Sequence, residues 1–337
     1  MLARLALLSL AALAPFAAFA QAEAPVAVME GPAAKAAPEA PRRTPGYTRL
    51  VREKDGVFAC EIAARTLRPE KGDGPAVTLV GAIHIGTADY YADLQRELEA
   101  HDIVLFEGVA DDPAKFRDKR KPGKAPKRDA YASMAKALGL VTQMSALDYD
   151  RKHFVHADLS MKRMREMLEG EVKAGGEAGA EAGMALINLG LLDSMLSGGG
   201  FLSGLMDSAV ARLESDRLLQ ADTLLRLAVA EKETQTLSKF WPGAERLQRL
   251  ILEDRNTEVM RRLAEQMAKK PGAPRTLAIF YGAAHLRDLE KRLTRDLGYR
   301  FESDRWIRAF DVNPAAAGLA PDAIADLTRG AVEPARP

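Results

Sequence analysis

Two short segments of the chain carry residues that are able to do chemistry, and the two are nearly identical. Residues 81–84 read Gly-Ala-Ile-His and residues 282–285 read Gly-Ala-Ala-His, so each ends in a histidine, His84 or His285. A neutral imidazole is a good ligand for a metal ion and can also polarise a bound substrate. A histidine in such a place can instead do no more than hydrogen-bond a loop carbonyl. The matched pair favours a shared functional site over that alternative.

The elements around the two segments predict that the histidines meet in space. A mostly apolar run precedes each segment, and a helix-period stretch and a further strand follow, so a strand-turn-helix-strand unit occurs twice. In one mostly parallel sheet, right-handed crossovers bring both turns to the carboxyl edge, where open α/β sheets bind ligands. Gly81 and Gly282 suit a sharp exit from the sheet, since glycine adopts positive φ readily and lets another backbone or a ligand approach closely. We therefore expect an α/β (mixed α+β) fold with a central, partly parallel sheet and both histidines at one edge.

A carboxylate is expected at the same edge. Glu107 directly follows the predicted strand 103–106 and precedes Gly108. It could bind a metal ion directly, or act as general base to a metal-bound water whose pKa the cation has lowered. A helix N-cap or a surface acid is the alternative. The sequence contains no HExxH helix, GxSxG elbow or Walker lysine loop, so it gives no support to serine-triad or P-loop chemistry.

Polar residues elsewhere in the sequence are further candidates for this site. Arg255 and Asn256 interrupt the apolar stripe of a helix predicted over residues 244–269. His156 and Asp158 lie in a polar, aromatic connection between predicted helices. They are weaker candidates, because that segment could equally be a packed loop.

The amino terminus has the three parts of a secretory signal peptide. Residues 1–4 form a short basic region, residues 5–17 are apolar, and residues 18–20 read Ala-Phe-Ala, a small-x-small cleavage pattern. We expect cleavage after Ala20, export to the periplasm and no stable membrane span in the mature chain, because the apolar run is short for a bilayer. Cys60 is the sole cysteine, which excludes an intramolecular disulfide and a thiolate-only metal site and predicts a buried structural thiol.

Composition divides the chain into four parts. They are a signal peptide (1–20), a disordered linker rich in Ala, Pro and Glu (21–45), an α/β domain (46–311) and a flexible tail (312–337). Within the domain, a helical insertion is expected at about residues 130–240. The formal net charge of +1 gives no argument for a nucleic-acid partner.

Two segments of the domain stand out by their composition. Residues 115–128 are strongly basic and contain proline and glycine, which predicts a solvated loop, with attraction of an acidic partner as the alternative. Residues 184–206 are apolar on all sides around a triple glycine, which predicts a pair of short buried helices. A groove for an apolar substrate, a contact in a homo-oligomer and a membrane-dipping hairpin are the alternatives, and the glycines disfavour the last.

In their order and overall spacing, the motifs described above resemble those of the TraB/PrgY/GumN superfamily, which includes the TIKI metalloproteases. The resemblance extends from about residue 78 to about residue 310 and is weaker in the middle third. Each motif alone is loose, and the specificity lies in their order. The matching positions are the Gly-x-x-His of residues 81–84, Glu107-Gly108, Arg255-Asn256 and the Gly-x-x-His of residues 282–285.

The resemblance implies an α/β sandwich with an inserted helical region and a metal-dependent activity. TIKI members are divalent-metal-dependent peptidases that act on secreted substrates, and related folds include erythromycin esterases and haem-binding proteins. By this likeness, His84, Glu107 and His285 form the metal or catalytic set, and Arg255 and Asn256 support it. The ion expected is zinc, manganese or cobalt. The glycine-rich apolar stretch and the basic loop depart from better-known members, which puts the identity of the substrate in doubt.

Three functions are open on this basis. The first is an exported metal-dependent hydrolase of a peptide or protein substrate, in which His84 and His285 hold the metal, Glu107 binds it or activates water, and Arg255 stabilises the oxyanion. The second is a non-catalytic periplasmic protein that sequesters a peptide, haem or metal at the same place. The third is an interaction protein that docks through residues 184–206.

Overall fold

The structure is a computed structural model and describes residues 46–109, 130–196, 202–233, 243–269, 273–329 and 331–334. The predicted signal peptide, the linker and the basic loop lie outside these ranges. Within them, the strands are β1 (Thr48–Arg52), β2 (Phe58–Pro69), β3 (Ala76–Ala82), β4 (Ile85–Gly86), β5 (Ile103–Phe106), β6 (Val141–Thr142), β7 (Phe154–His156), β8 (Thr276–Gly282), β9 (Tyr299–Val312) and β10 (Val332–Pro334).

Helices account for most of the remaining described residues. They are α1 (Ala88–Glu99), α2 (Ala130–Ala137), α3 (Gln143–Ala146), α4 (Met161–Ala174), α5 (Gly176–Leu196), α6 (Leu202–Ser215), α7 (Arg217–Glu233), α8 (Ala244–Arg249), α9 (Arg255–Met267), α10 (Ala283–Leu297) and α11 (Pro321–Thr328). A short 3-10 turn spans Lys54–Gly56, and a π-helical turn, Leu250–Asp254, joins α8 to α9.

The strands of the two histidine segments are direct neighbours in the main sheet. The described strands of this sheet follow the order β10-β1-β2-β3-β8-β5-β7, with β9 paired to β2, and β4 and β6 form a separate bridge. Strands β3, β8, β5 and β7 are mutually parallel, whereas β2 is antiparallel to β1, β3 and β9. The predicted mixed α/β class with a partly parallel central sheet is confirmed.

Helices cover both faces of the parallel strands, which explains why β3 and β8 are apolar along their length. The buried face of α1, including Leu94 and Leu98, packs on one side of the sheet. The apolar faces of α9 and α10 pack on the other side, through residues such as Leu263 and Leu289. The helix expected after the first histidine segment is thus present.

Close packing explains the glycine at the start of the first histidine segment. A Cβ atom on Gly81 would lie 2.6 Å from Cγ2 of Ile62 and 3.4 Å from Leu286, so the strand has no room for a side chain there. Neither Gly81 nor Gly282 is among the described glycines with positive φ. Of the two reasons given for these glycines, close approach of a neighbour is confirmed at Gly81, whereas positive φ applies to neither residue.

Two stretches differ from the sequence-based expectations. Residues 148–158 were expected to be a connection, but they contain β7, which pairs with β5 and divides the predicted helical insertion. The flexible tail predicted for residues 312–337 is wrong over α11 and β10. Helix α11 begins with a proline in its first turn, and β10 pairs in parallel with β1.

The apolar segment at residues 184–206 spans the end of α5 and the start of α6, with residues 197–201 outside the described ranges. On α5, Met184, Ile187 and Leu191 are exposed. No helix in the described part of the chain is long and apolar enough to cross a membrane. A contact between subunits at this segment stays a prediction. The buried thiol expected at Cys60 is confirmed.

A buried arginine connects two strands and a helix by ion pairs. Arg65 on β2 is fully buried and donates to Asp304 on β9, with Nε 2.7 Å from Oδ1. Its Nη1 lies 3.0 Å from Oε2 of Glu290 on α10, and the same carboxylate accepts from the hydroxyl of Tyr47. The cation thus compensates two buried carboxylates.

Replacing this cation should destabilise the fold strongly. In an Arg65→Ala variant, Glu290 and Asp304 lose their cation while they stay buried, so we expect the free energy of unfolding to fall by about 3–5 kcal/mol in urea titrations. Arg68→Ala is the matched control, because the Arg68–Glu302 pair is largely exposed. It should cost no more than about 1 kcal/mol. Equal losses in the two variants would contradict this account of Arg65.

Candidate functional site

The carboxyl ends of the four parallel strands meet at one edge of the sheet, and each is followed closely by a polar side chain. His84 follows β3, His285 follows β8, Glu107 follows β5, and Asp158 follows β7. The sequence predicted the first three at this edge and ranked Asp158 as a weaker candidate. Asp158 is buried and belongs to the centre of the cluster.

The helix expected over residues 244–269 brings Arg255 and Asn256 to the same edge. It is divided by the π-helical turn, which ends at Asp254, directly before Arg255. A π turn holds one residue more than an α turn and therefore rotates the helix face that follows. Arg255 and Asn256 are both buried, on a helix whose other buried residues include Val259 and Leu263.

The guanidinium of Arg255 joins the two carboxylates. Its Nε lies 2.8 Å from Oδ1 of Asp158, and its Nη2 lies 2.6 Å from both Oδ2 of Asp158 and Oε1 of Glu107. The third nitrogen, Nη1, lies 3.5 Å from the carbonyl oxygen of Ile251 and 3.5 Å from Nε2 of His285. All three nitrogens are thus directed into the cluster. Arg255 thus holds Glu107, as the supporting role implied by the resemblance requires, and the oxyanion-stabilising role expected from the sequence stays a prediction.

Glu107 is held from two sides and stays ionised. Besides Arg255 at Oε1, its Oε2 accepts a hydrogen bond from the Gly282 N–H at 2.6 Å, at the start of α10, where the helix dipole favours an anion. Burial alone would raise its pKa, but the charges of Arg255, His285 and His84 lower the pKa of Glu107 to about 2. Its side chain is 10% exposed, so it is not the surface acid of the alternative interpretation.

His285 is fully buried and neutral, and its tautomer is fixed by Asn256. The amide nitrogen of Asn256 donates to the His285 carbonyl oxygen at 3.3 Å and to Oδ2 of Asp288 at 2.9 Å. Because both partners only accept, Oδ1 of Asn256 faces Nδ1–H of His285, at 2.8 Å. Nε2 then carries the lone pair and lies 3.7 Å from Oε1 of Glu107. Burial is the main reason that the pKa of His285 is lowered to about 4.

His84 lies at the more accessible side of the site. It is partly exposed, in a bend between β3 and β4, and its Nδ1 lies 3.0 Å from Oε1 of Gln143. The hydroxyl of Tyr91 donates to the carbonyl of Ile83 at 2.9 Å, which holds the bend. His84 is close enough that its charge influences the pKa of both Glu107 and His285.

The predicted metal ligands are suited to a cation in their chemistry. Glu107 is ionised, His285 is neutral, and each histidine contacts a side-chain amide oxygen through Nδ1, the kind of outer contact that orients metal-bound histidines. Two carboxylates face one guanidinium, so negative charge is in excess. Across the described ranges, no group of three or more His, Cys, Asp or Glu residues is arranged to hold a metal ion. The metal therefore stays a prediction.

Gln143 is a site residue that sequence reasoning missed, whereas the role of His156, a weaker candidate in the sequence, stays a prediction. Gln143 comes from α3 and contacts His84 across 59 positions of the chain. It belongs to no motif, and nothing in its neighbourhood predicted the contact. His156 places Nε2 at 2.6 Å from the carbonyl oxygen of Gly108, the hydrogen bond of a packed segment.

Comparisons with protein-family models, with curated proteins and with solved structures find no match to the chain. The likeness to the TraB/PrgY/GumN superfamily therefore stays a prediction that depends on the motifs alone.

The lowered pKa of His285 predicts a specific dependence of stability on pH. Between about pH 6.5 and about pH 4, the unfolded chain takes up a proton at this residue and the folded chain does not, so stability falls as the pH falls. We expect wild type to lose about 3 kcal/mol more of its unfolding free energy over this interval than His285→Gln, in urea titrations with a chelator present. Tyr281→Phe, beside the imidazole, should lower stability equally at both ends of the interval. Equal pH slopes for wild type and His285→Gln would disprove the assignment.

Proposed function

We propose that the protein is an exported hydrolase that cleaves a peptide bond at the carboxyl edge of its parallel strands. The observation that carries the proposal is the pairing of an ionised, nearly buried Glu107 with the neutral Nε2 of His285, 3.7 Å away, beside the accessible His84. The signal-like amino terminus supports export. The motif resemblance supports the peptide as substrate.

The sequence left two roles open for Glu107, metal ligand and general base, and its low pKa favours the first. A general base works best with a pKa near the working pH, and a carboxyl group with a pKa of about 2 is a weak base. The same carboxylate is a good ligand, because it never has to lose a proton at neutral pH. By the same reasoning, His285 acts as a ligand, since it is neutral and oriented.

In this proposal, Glu107, His285 and His84 would hold a divalent ion, which when bound would supply a water of lowered pKa and polarise the substrate carbonyl. The chain's own residues orient the ligands and limit the access of water. Arg255, paired with Asp158, holds the carboxylate of Glu107 in one orientation. His84 is the more exposed histidine, so in this proposal a substrate reaches the site from its side. His285 and its partners stay behind it, shielded from water.

Loss of a ligand should abolish peptide hydrolysis. We expect His84→Ala, His285→Ala and Glu107→Gln each to lower kcat/KM on a peptide library by at least about 100-fold. Glu302→Gln, on the exposed part of β9, is the matched control and should retain wild-type activity. Peptide hydrolysis that persists in both histidine variants would overturn the proposal.

The metal can be tested separately from the activity. Purified wild type should contain about one zinc, manganese or cobalt ion per chain by mass spectrometry, and His285→Ala should contain far less. Chelation should abolish hydrolysis, and one of the three ions should restore it. A metal-free wild-type protein whose hydrolysis resists chelation would remove the metal from the proposal.

A binding protein without turnover is the second candidate, and one observation favours it. Both carboxylate oxygens of Glu107 already accept hydrogen bonds within the protein, from Arg255 and Gly282. Tight binding of a peptide or metal that is lost in the His84 and His285 variants, without hydrolysis in wild type, would select this candidate. Haem could contact the partly exposed His84 but not the fully buried His285 as the structure has it.

A further inference from the structure

The two histidine segments share a feature that their sequences do not show: a carboxamide side chain lies against Nδ1 of each histidine. For His285 the carboxamide is Asn256, with 2.8 Å between Oδ1 and Nδ1. For His84 it is Gln143, with 3.0 Å between Oε1 and Nδ1. The two amides come from unrelated elements, α9 and α3. The likeness is therefore one of chemistry at the site.

Gln143 holds His84 by its backbone as well as by its side chain. The N–H of Gln143 donates to the carbonyl oxygen of His84 at 2.9 Å. The bridge of β4 to β6 pairs the neighbouring residues, Ile85 with Thr142. Gln143 itself is 4% exposed, so its side-chain amide is shielded from water. Two anchored chain segments thus fix the distance between the amide and the imidazole.

Tyr149 is the hydrogen-bond partner at the other end of the Gln143 amide. Nε2 of Gln143 donates to the hydroxyl of Tyr149 at 2.9 Å, which leaves Oε1 turned toward the imidazole. Tyr149 is buried, and its ring lies 5.0 Å from the ring of Phe106, the residue before Glu107. An amide oxygen only accepts hydrogen bonds, so the nitrogen of His84 that faces it must be the protonated one.

We propose that Gln143 is a positioning residue that holds His84 in the Nδ1–H tautomer and so presents Nε2 to the site. Asn256 has the same role for His285. The hydrogen bond at one ring nitrogen decides which nitrogen carries the proton, and therefore which one can act as ligand or proton acceptor. The tautomer of His84 does not depend on the proposed hydrolysis. Any effect of that tautomer on catalysis rests on the proposed function.

The tautomer can be measured directly by NMR. Long-range proton–nitrogen correlations of the full chain with 15N-labelled histidine, at about pH 8.5 with a chelator, report which ring nitrogen is protonated. His84→Gln assigns the signals. Wild type should show Nδ1–H at His84, and Gln143→Leu should shift the population to Nε2–H. Gln143→Glu, which keeps an acceptor at this position, should retain Nδ1–H.

Two further variants separate positioning from general damage. Tyr149→Phe keeps Gln143 but removes the partner of its Nε2, so the amide can turn over and His84 should show a mixture of tautomers. Gln95→Leu is the control: Gln95 accepts from the Asp148 N–H at 2.9 Å and holds the adjacent loop, so the tautomer of His84 should not change. If Gln143→Leu does not fold, the tautomer of His84 in Tyr149→Phe and in Gln143→Glu tests the proposal instead. Nε2–H at His84 in wild type, unchanged Nδ1–H in Gln143→Leu, or loss of Nδ1–H in Gln143→Glu would each overturn the proposal.

The catalytic consequence has its own readout. If wild type hydrolyses peptides, Gln143→Leu should lower kcat about 10- to 100-fold with KM largely unchanged, and Gln143→Glu should recover most of that loss. A correct tautomer pattern in a protein without hydrolysis would retain the positioning role and refute the proposed function. Hydrolysis in wild type together with an unaltered His84 tautomer in Gln143→Leu would support the proposed function and refute the positioning role of Gln143.

Discussion

The candidate site depends on one buried ion cluster, in which Arg255 joins Glu107 and Asp158. Removing these charges from water costs several kcal/mol for each ion, and the cost is offset only when every charge is paired in good geometry. Arg255 meets this condition by contacts to both carboxylates through Nε and Nη2. Because the carboxylates follow two different strands, β5 and β7, the pairing also locks α9 onto the edge of the sheet.

This cluster sets the protonation of the groups around it. The cation keeps Glu107 ionised in a place where burial alone would favour the protonated acid. The same cation, together with burial, opposes a proton on His285, whereas Glu107 favours one, and the balance leaves the imidazole neutral. An ionised carboxylate and a neutral imidazole therefore lie side by side at neutral pH. In these protonation states, both groups have lone pairs available to bind a cation.

The sequence was informative where a pattern is repeated and local. The near-identity of residues 81–84 and 282–285 predicted two equivalent strand ends, and the parallel pairing of β3 with β8 places them side by side. Glu107 could be placed at the same edge because it directly follows an apolar strand. These inferences use only the alternation of elements and the handedness of crossovers, which a short stretch of sequence is enough to show.

Other features could not be predicted, for identifiable physical reasons. Strand β7 has three residues, too few for a period, and its polar flanks favour a loop. The helix before Arg255 has a continuous apolar stripe, so nothing marked the π-helical turn. Gln143 reaches His84 across 59 residues through a two-residue bridge, and no local pattern encodes that contact. Within the tail, β10 pairs with β1, an interaction that the composition of this segment does not reveal.

The two histidine segments end in different environments although their sequences are almost the same, and the residues that follow explain why. After Gly282, α10 begins at once, so His285 lies in the first helical turn and is packed beneath it, fully buried. After residue 84 the chain first forms the β4 bridge to β6, and α1 starts only at Ala88. This short detour keeps His84 in a bend and partly exposed. Two nearly identical segments thus place their histidines differently: His285 is enclosed by the protein, whereas His84 stays partly open to solvent.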